Sequence, residues 1–181
     1  MTDVPEFKPF PSITRLVRGC VVTEKIDGTN ACVYVLEDGR VLAQSRTRYI
    51  TPEDDNYGFA RWVKDHEEVL RTGLGPGQHF GEWWGAGIQR RYGLTEKRFS
   101  LFNTSRWTDD VRPACCHVVP VLYSGPFSTE TISATMEGLR FHGSIAAPGF
   151  MHPEGIVVFH SASGILQKMT IDKNDGHKGA A

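Results

Sequence analysis

Val21-Val22-Thr23-Glu24-Lys25-Ile26-Asp27-Gly28-Thr29-Asn30, followed by Ala31-Cys32-Val33-Tyr34-Val35-Leu36-Glu37-Asp38-Gly39-Arg40-Val41, decides the architecture. Val21 and Val22 read as a short strand that runs into Lys25. Ala31 to Leu36 alternates loosely and reads as a second strand. Asp38-Gly39 supplies the positive φ of a tight hairpin, so Val41 to Arg46 reads as the return strand. Lys25 thus stands at a strand end against a glycine turn. A side chain held there can be fixed and partly desolvated, and only a neutral amine is a nucleophile. Gly28 would let backbone approach a ligand closely. Taken alone, Lys-x-Asp-Gly equally fits a surface lysine in a hairpin.

Working outward, the next signal is helical. Thr51 can cap a helix, Pro52 suits its first position, and Glu53, Asp54 and Asp55 favour its positive dipole end. Phe59, Trp62, Val63, His66, Val69 and Leu70 fall on one face at helical spacing, and Gly73 is a stop signal. Strands follow at Gln78 to Trp83 and Arg98 to Phe102, separated by a glycine-rich, basic loop. His117 to Tyr123 reads as a strand interrupted by Pro120. Ser128 is positioned to cap a second helix with Ile132, Met136 and Leu139 on one side. Gly155 to Phe159 and Ile165 to Met169 read as two last strands joined by Ser161-Ala162-Ser163-Gly164. Many strands with hairpin-like pairing and few helices predict an α+β fold with antiparallel sheets, not a doubly wound parallel one. Neither Gly-x-x-x-x-Gly-Lys-Ser/Thr nor Gly-x-Gly-x-x-Gly occurs.

Composition narrows the class. The 181 residues suffice for one domain with a real core. The reading is one domain over residues 1–172 and a polar, mobile tail over 173–181. Lys plus Arg number 20 and Asp plus Glu 21, so the net charge of −1 argues neither for nor against nucleic acid. Cys20, Cys32, Cys115 and Cys116 lack Cys-x-x-Cys spacing and read as reduced, mostly buried thiols. The acid- and proline-bearing start is not a signal peptide, and no apolar run approaches the roughly 20 residues of a membrane span. A soluble, cytoplasmic protein is expected.

Three further elements bear on chemistry. Gly81-Glu82-Trp83-Trp84-Gly85 puts a carboxylate at a strand end between glycines. Pro153-Glu154-Gly155 places another at the head of an apolar strand. Lys168 lies on the strand that would pair with it. Singly, each also fits an ordinary surface residue. Arg90, Arg91, Lys97 and Arg98 gather with Tyr92 and Trp84, which suits either phosphate contact and base stacking or a solvated loop. The histidines show no metal-ligand spacing.

The ordered set of Lys-x-Asp-Gly, Gly-Glu, an aromatic-rich strand, Glu-Gly-hydrophobic and a lysine strand resembles the covalent nucleotidyltransferase superfamily. That superfamily holds polynucleotide ligases and messenger RNA capping enzymes. Glu24 to Asn30 looks most like the second family of ATP-dependent RNA ligases, where Glu-Lys-x-x-Gly-x-Asn is typical. The resemblance spans about Val22 to Thr170. It implies a ligase adenylation domain in which Lys25 takes AMP from ATP, with Mg²⁺ or Mn²⁺. Glu24 resembles the residue that touches the adenine amino group, and Phe102 the aromatic that stacks on the purine. Asn30 and Arg46 resemble contacts to ribose, phosphate or the RNA end, and Glu82 the acid that hydrogen-bonds the ribose. Glu154 resembles an acid that helps hold the metal, and Lys168 a lysine on the α-phosphate. The implied partners are RNA 5′-phosphate and 3′-hydroxyl ends, including those of a nicked duplex.

Two departures stand out. The family's last motif usually carries two lysines one residue apart, whereas Met169 and Thr170 follow Lys168; Lys173 or Lys178 are candidate substitutes. Few residues follow Lys168, so no C-terminal oligonucleotide-binding domain is expected, and a partner protein supplying that domain is one expectation. Family analogy suits phage or bacterial RNA repair. The rival readings are a DNA ligase or capping enzyme of the same superfamily, and an inactive nucleotide- or RNA-binding module.

Overall fold

The computed structural model describes residues 6–172; the tail, with Lys173 and Lys178, lies outside the described residues. Among the described residues, ten strands form two sheets. The smaller contains β1 (Gly19–Lys25), β8 (Val121–Pro126), β9 (Gly155–His160) and β10 (Ile165–Thr170), in the order β10-β9-β1-β8. The larger contains β2 (Thr29–Val35), β3 (Val41–Ser45), β4 (Tyr49–Ile50), β5 (Gly77–Gly85), β6 (Lys97–Leu101) and β7 (His117–Val118), in the order β4-β3-β2-β5-β6-β7. All pairings are antiparallel except that of β6 with β7. The α+β expectation therefore holds, with one parallel pair added.

The period of two along each strand sorts side chains into layers. Ala31, Val33 and Val35 of β2 turn toward Trp83, Phe99 and Leu101, and pack on Phe59 and Val63 of α1 (Phe59–Asp65) and on Leu70 and Leu74 of α2 (Glu67–Leu74). Cys20 and Val22 of β1 join Ile156 and Val158 against Ile132, Met136 and Leu139 of α3 (Thr129–His142). Burial of each such large side chain contributes about 1.5–3 kcal/mol. A third cluster, Ile26, Trp84, Tyr92, Val119 and Ala147, lies beside the β1–β2 turn.

The second predicted helix is capped as expected: Ser128 Oγ accepts from Thr131 N at 3.0 Å. The Asp38-Gly39 turn also forms, with Gly39 at φ 84°. The first predicted helix differs at both ends. Thr51 to Asn56 form turns, in which Asp54 N donates to Thr51 Oγ1, and the helix starts at Phe59. The N-cap is Gly58, at φ 80°, and the Asp55 carboxylate reaches in from three residues upstream, accepting from Ala60 N at 2.8 Å and Arg61 N at 3.0 Å. At His66, φ −113° interrupts the helix, and α2 then runs through Gly73 to a cap at Gly75. The single strand expected over His117 to Tyr123 is two strands in different sheets. Pro120 has no N–H to donate, and the chain changes sheet there, with Pro120 O accepting from Glu24 N at 2.9 Å.

Candidate active site

Lys25 ends β1, and Ile26-Asp27-Gly28 carries the chain from the smaller sheet to β2 of the larger. Gly28 is required by close approach. A Cβ there would lie 2.7 Å from Trp84 Cβ and would also strike the Trp83 carbonyl oxygen. The site therefore forms where the two sheets meet.

On the smaller sheet, Lys25 Nζ donates to Glu154 Oε2 at 2.5 Å. The two residues are 129 apart in sequence and come together because Lys25 sits opposite Gly155 in the β1–β9 register. Both side chains are partly accessible, 24% and 16% exposed, so the pair is neither fully buried nor free in solvent. Lys168 lies opposite Val157, which lies opposite Thr23, so Lys168 projects from the same face as Lys25. Strand spacing places their Cα atoms roughly 12 Å apart. Lys168 is exposed on edge strand β10 and is not drawn into the Lys25–Glu154 pair.

On the larger sheet, Asn30, Glu82 and Ser100 lie in one cross-strand row. Glu82 Oε1 accepts from Gly28 N at 3.0 Å and pins the turn after Lys25. Burial pushes the Glu82 carboxyl up to about 7; the Gly28 hydrogen bond and the Lys25 charge oppose that shift, while the Glu154 and Asp27 charges add to it. Arg46 Nε donates to Asn30 Oδ1 at 3.0 Å. Asn30, Arg46, Phe80 and Phe102 line a groove of about 290 Å³. Phe102 is 41% and Phe80 56% exposed, a large apolar area left open beside a guanidinium and an amide. That donor set suits a planar base with an attached phosphate.

Glu24 lies apart from these residues. Its neighbours in sequence alternate across β1, so it faces away from Lys25 and is only 1% exposed. Its carboxylate accepts from Ser144 Oγ at 2.5 Å, Ile145 N at 2.8 Å and Ala146 N at 2.9 Å. Burial raises its pKa, and those three hydrogen bonds counter the rise. The basic–aromatic loop also differs from a base-binding platform. Trp84 and Tyr92 are 1% and 2% exposed and meet edge to face, with ring centroids 5.0 Å apart. Tyr92 Oη accepts from Asp27 N at 2.8 Å, and Arg90 Nε donates to Asp27 Oδ2 at 3.0 Å. The sequence assigns no role to Asp27, Ser144 or Phe80, and it groups Tyr92 with the basic loop as a stacking residue, whereas its hydroxyl holds the Asp27 amide. The Asp27 of Lys-x-Asp-Gly and the Phe-Gly-Glu context of Phe80 were the available signals.

Among the described residues, no three His, Cys, Asp or Glu side chains converge on a metal-sized space. A divalent ion here would rest on Glu154 and on oxygens of a bound nucleotide and water. That set fits Mg²⁺ or Mn²⁺, which bind through one or two carboxylates plus phosphates. All four cysteines are free thiols. No helix among the described residues is long and apolar enough to cross a membrane.

The fold matches that of ligase nucleotidyltransferase domains. The Naegleria gruberi RNA ligase, solved as a mutant with ATP and Mn, superposes with a TM-score of 0.60 at 21% identity, over 84% of this chain and 48% of that one. A second mutant of the same ligase, with AMP and Mn, gives 0.59 at 21% identity, over 84% and 49%. An archaeal ATP-dependent RNA ligase gives 0.61 at 17% identity, over 91% and 48%. The chain thus spans about half the length of these structures, and identities this low speak for the fold alone. Sequence is matched separately, by the RNA ligase family model over residues 18–168. Because that match runs through most of the chain, this protein belongs to the RNA ligase family.

Proposed function

We propose that the protein is an ATP-dependent RNA ligase in which Lys25 becomes covalently adenylylated. The observation that carries this reading is the Lys25 Nζ–Glu154 Oε2 pair, 2.5 Å apart and partly open at the junction of the sheets. Membership of the family and the ATP, AMP and Mn named for structures of the same fold support it.

Nζ forms a bond to the α-phosphorus of ATP, and the bond to the leaving pyrophosphate breaks. The amine must shed a proton to attack, and Glu154 Oε2 is the adjacent acceptor. Lys168, on the same face of the sheet, adds fixed positive charge at the phosphate. A divalent cation would be held by phosphate oxygens, water and the Glu154 oxygen that Lys25 does not occupy, and would supply charge neutralisation at the phosphates. Phe102 stacks on the purine, while Asn30 and Arg46 contact ribose, phosphate or the RNA end, and Glu82 orients the ribose. Glu24 serves instead as the buried anchor of the 144–146 turn, since its carboxylate is already engaged by three donors. AMP then passes from Lys25 to an RNA 5′-phosphate, and a 3′-hydroxyl displaces it to seal the strand.

The test is incubation with ATP labelled at the α-phosphate and Mg²⁺ or Mn²⁺, followed by a denaturing gel. Acid-labile label should travel with the chain and vanish in Lys25→Ala. Absence of label from folded protein, with either metal and with ATP or GTP, would leave a nucleotide- or RNA-binding module as the better reading.

A further inference from the structure

Arg90 makes three contacts, and each lands beside a different member of the proposed site. Nε donates to Asp27 Oδ2 at 3.0 Å, two residues after Lys25. Nη1 donates to the His152 carbonyl at 3.1 Å, two residues before Glu154. Nη2 donates to Asp172 Oδ2 at 2.5 Å, four residues after Lys168. The three segments come from distant parts of the chain, and one planar guanidinium joins them. A guanidinium presents five donors in a rigid fork; an ammonium is a single point charge.

The loop that delivers Arg90 is itself constrained. Gln89, Arg91 and Tyr92 have φ values of 42°, 60° and 51°, a left-handed conformation unfavourable for residues with a Cβ. That conformation places Tyr92 under the same Asp27, with its hydroxyl accepting from Asp27 N. The Arg90 side chain is 25% exposed, so it is screened only in part. Strain of this kind persists where surrounding contacts over-determine it.

We propose that Arg90 is a positioning residue that holds Lys25, Glu154 and the Lys168 strand in register for attack on the α-phosphate. It touches no reacting atom itself. This inference rests on the adenylylation reading above. Its physical basis is that a misplacement of about 1 Å at the reacting centre can cost about 100-fold in rate without weakening binding equally.

The experiment compares the parent chain with Arg90→Met, Arg90→Lys and Asp172→Ala. Single-turnover labelling of Lys25 is measured across ATP concentrations, with hydrogen exchange of the 26–28 segment followed by mass spectrometry. At saturating ATP, Arg90→Met should label about 10–100-fold more slowly, with the ATP concentration for half-maximal rate within about threefold of the parent. Arg90→Lys should stay at least about tenfold slow, because an ammonium cannot span three acceptors. Asp172→Ala removes one exposed contact and should slow labelling a few-fold; it carries the test if Arg90→Met does not fold. Exchange in the 26–28 segment should rise in both Arg90 variants. Parental labelling rates, or a loss confined to apparent ATP affinity, would overturn the proposal. Failure of the parent to label would count against adenylylation, and the exchange data alone would then decide the clamp: unchanged protection of 26–28 in folded Arg90→Met overturns it.

Discussion

Glu24→Ala separates a ligand contact from an anchor. The Glu24 carboxylate is 1% exposed and accepts three hydrogen bonds, from Ser144 Oγ and from the amides of Ile145 and Ala146. Truncation leaves the Ser144 hydroxyl, itself 3% exposed, without its acceptor. A buried orphaned donor costs about 1–3 kcal/mol. The Ile145 and Ala146 amides lose their acceptor as well, in bonds that are only partly buried, so each loss is smaller. The vacated side-chain volume, between β1 and the 144–147 turn, adds a cavity cost. The sum is about 3–5 kcal/mol, which in a chain of this size lowers Tm by roughly 6–20 °C. Glu24→Gln preserves shape and one acceptor oxygen but gives up charge-assisted bonding, and should cost about 1–2 kcal/mol. Thermal and urea unfolding, read beside the ATP dependence of Lys25 labelling, make the assay. Unfolding midpoints unchanged in both variants, together with a large rise in the ATP needed for labelling, would refute the anchoring argument and return Glu24 to the nucleotide.

The remaining predictions concern the turn after Lys25. Gly28→Ala should destabilise the fold by about 1–3 kcal/mol, because its Cβ meets the Trp83 carbonyl and Trp84 Cβ, neither of which can swing away; calorimetry reads the shift, and an unchanged Tm would mean the sheets separate more readily than their packing implies. Glu82, raised from 4.5 to about 7, keeps its proton in the folded chain where the unfolded chain has lost it. Its stabilising contribution, about 3 kcal/mol at most, is therefore full below pH 4.5 and is lost as pH rises to about 7. Urea midpoints for the parent and Glu82→Gln, taken from pH 4 to 8, should diverge in slope across that window; parallel profiles would contradict the raised carboxyl.

Much of the chain was legible because its signals are local. Asp38-Gly39 marks the hairpin between β2 and β3, and Ser128 marks the start of α3, each through contacts within a few residues. The alternation around Val21–Lys25 and the motif at Gly28 placed the candidate nucleophile at a strand end, and there β1 stops. The first helix starts later than the sequence predicts: Thr51 Oγ1 is engaged by Asp54 N inside a turn, the N-cap falls on Gly58, and the Asp55 carboxylate takes the free amides of Ala60 and Arg61; Thr and Asp are both acceptable capping types, so only the turn at Thr51–Asp54 decides between them.

Sequence by itself determined the strand-rich α+β class, the hairpins, the third helix and the ordered set Lys25, Glu82, Glu154 and Lys168, since period, turn chemistry and motif order are properties of neighbouring residues. Tertiary structure decided the rest. The division at Pro120 between two sheets, the Lys25–Glu154 pair, the burial of Glu24 under the 144–146 turn and the reach of Arg90 to three segments all depend on strand register between distant parts of the chain. A shift of one residue in the β1–β9 register would exchange the faces of β1 and put Glu24 where Lys25 stands, and no local signal reports that register.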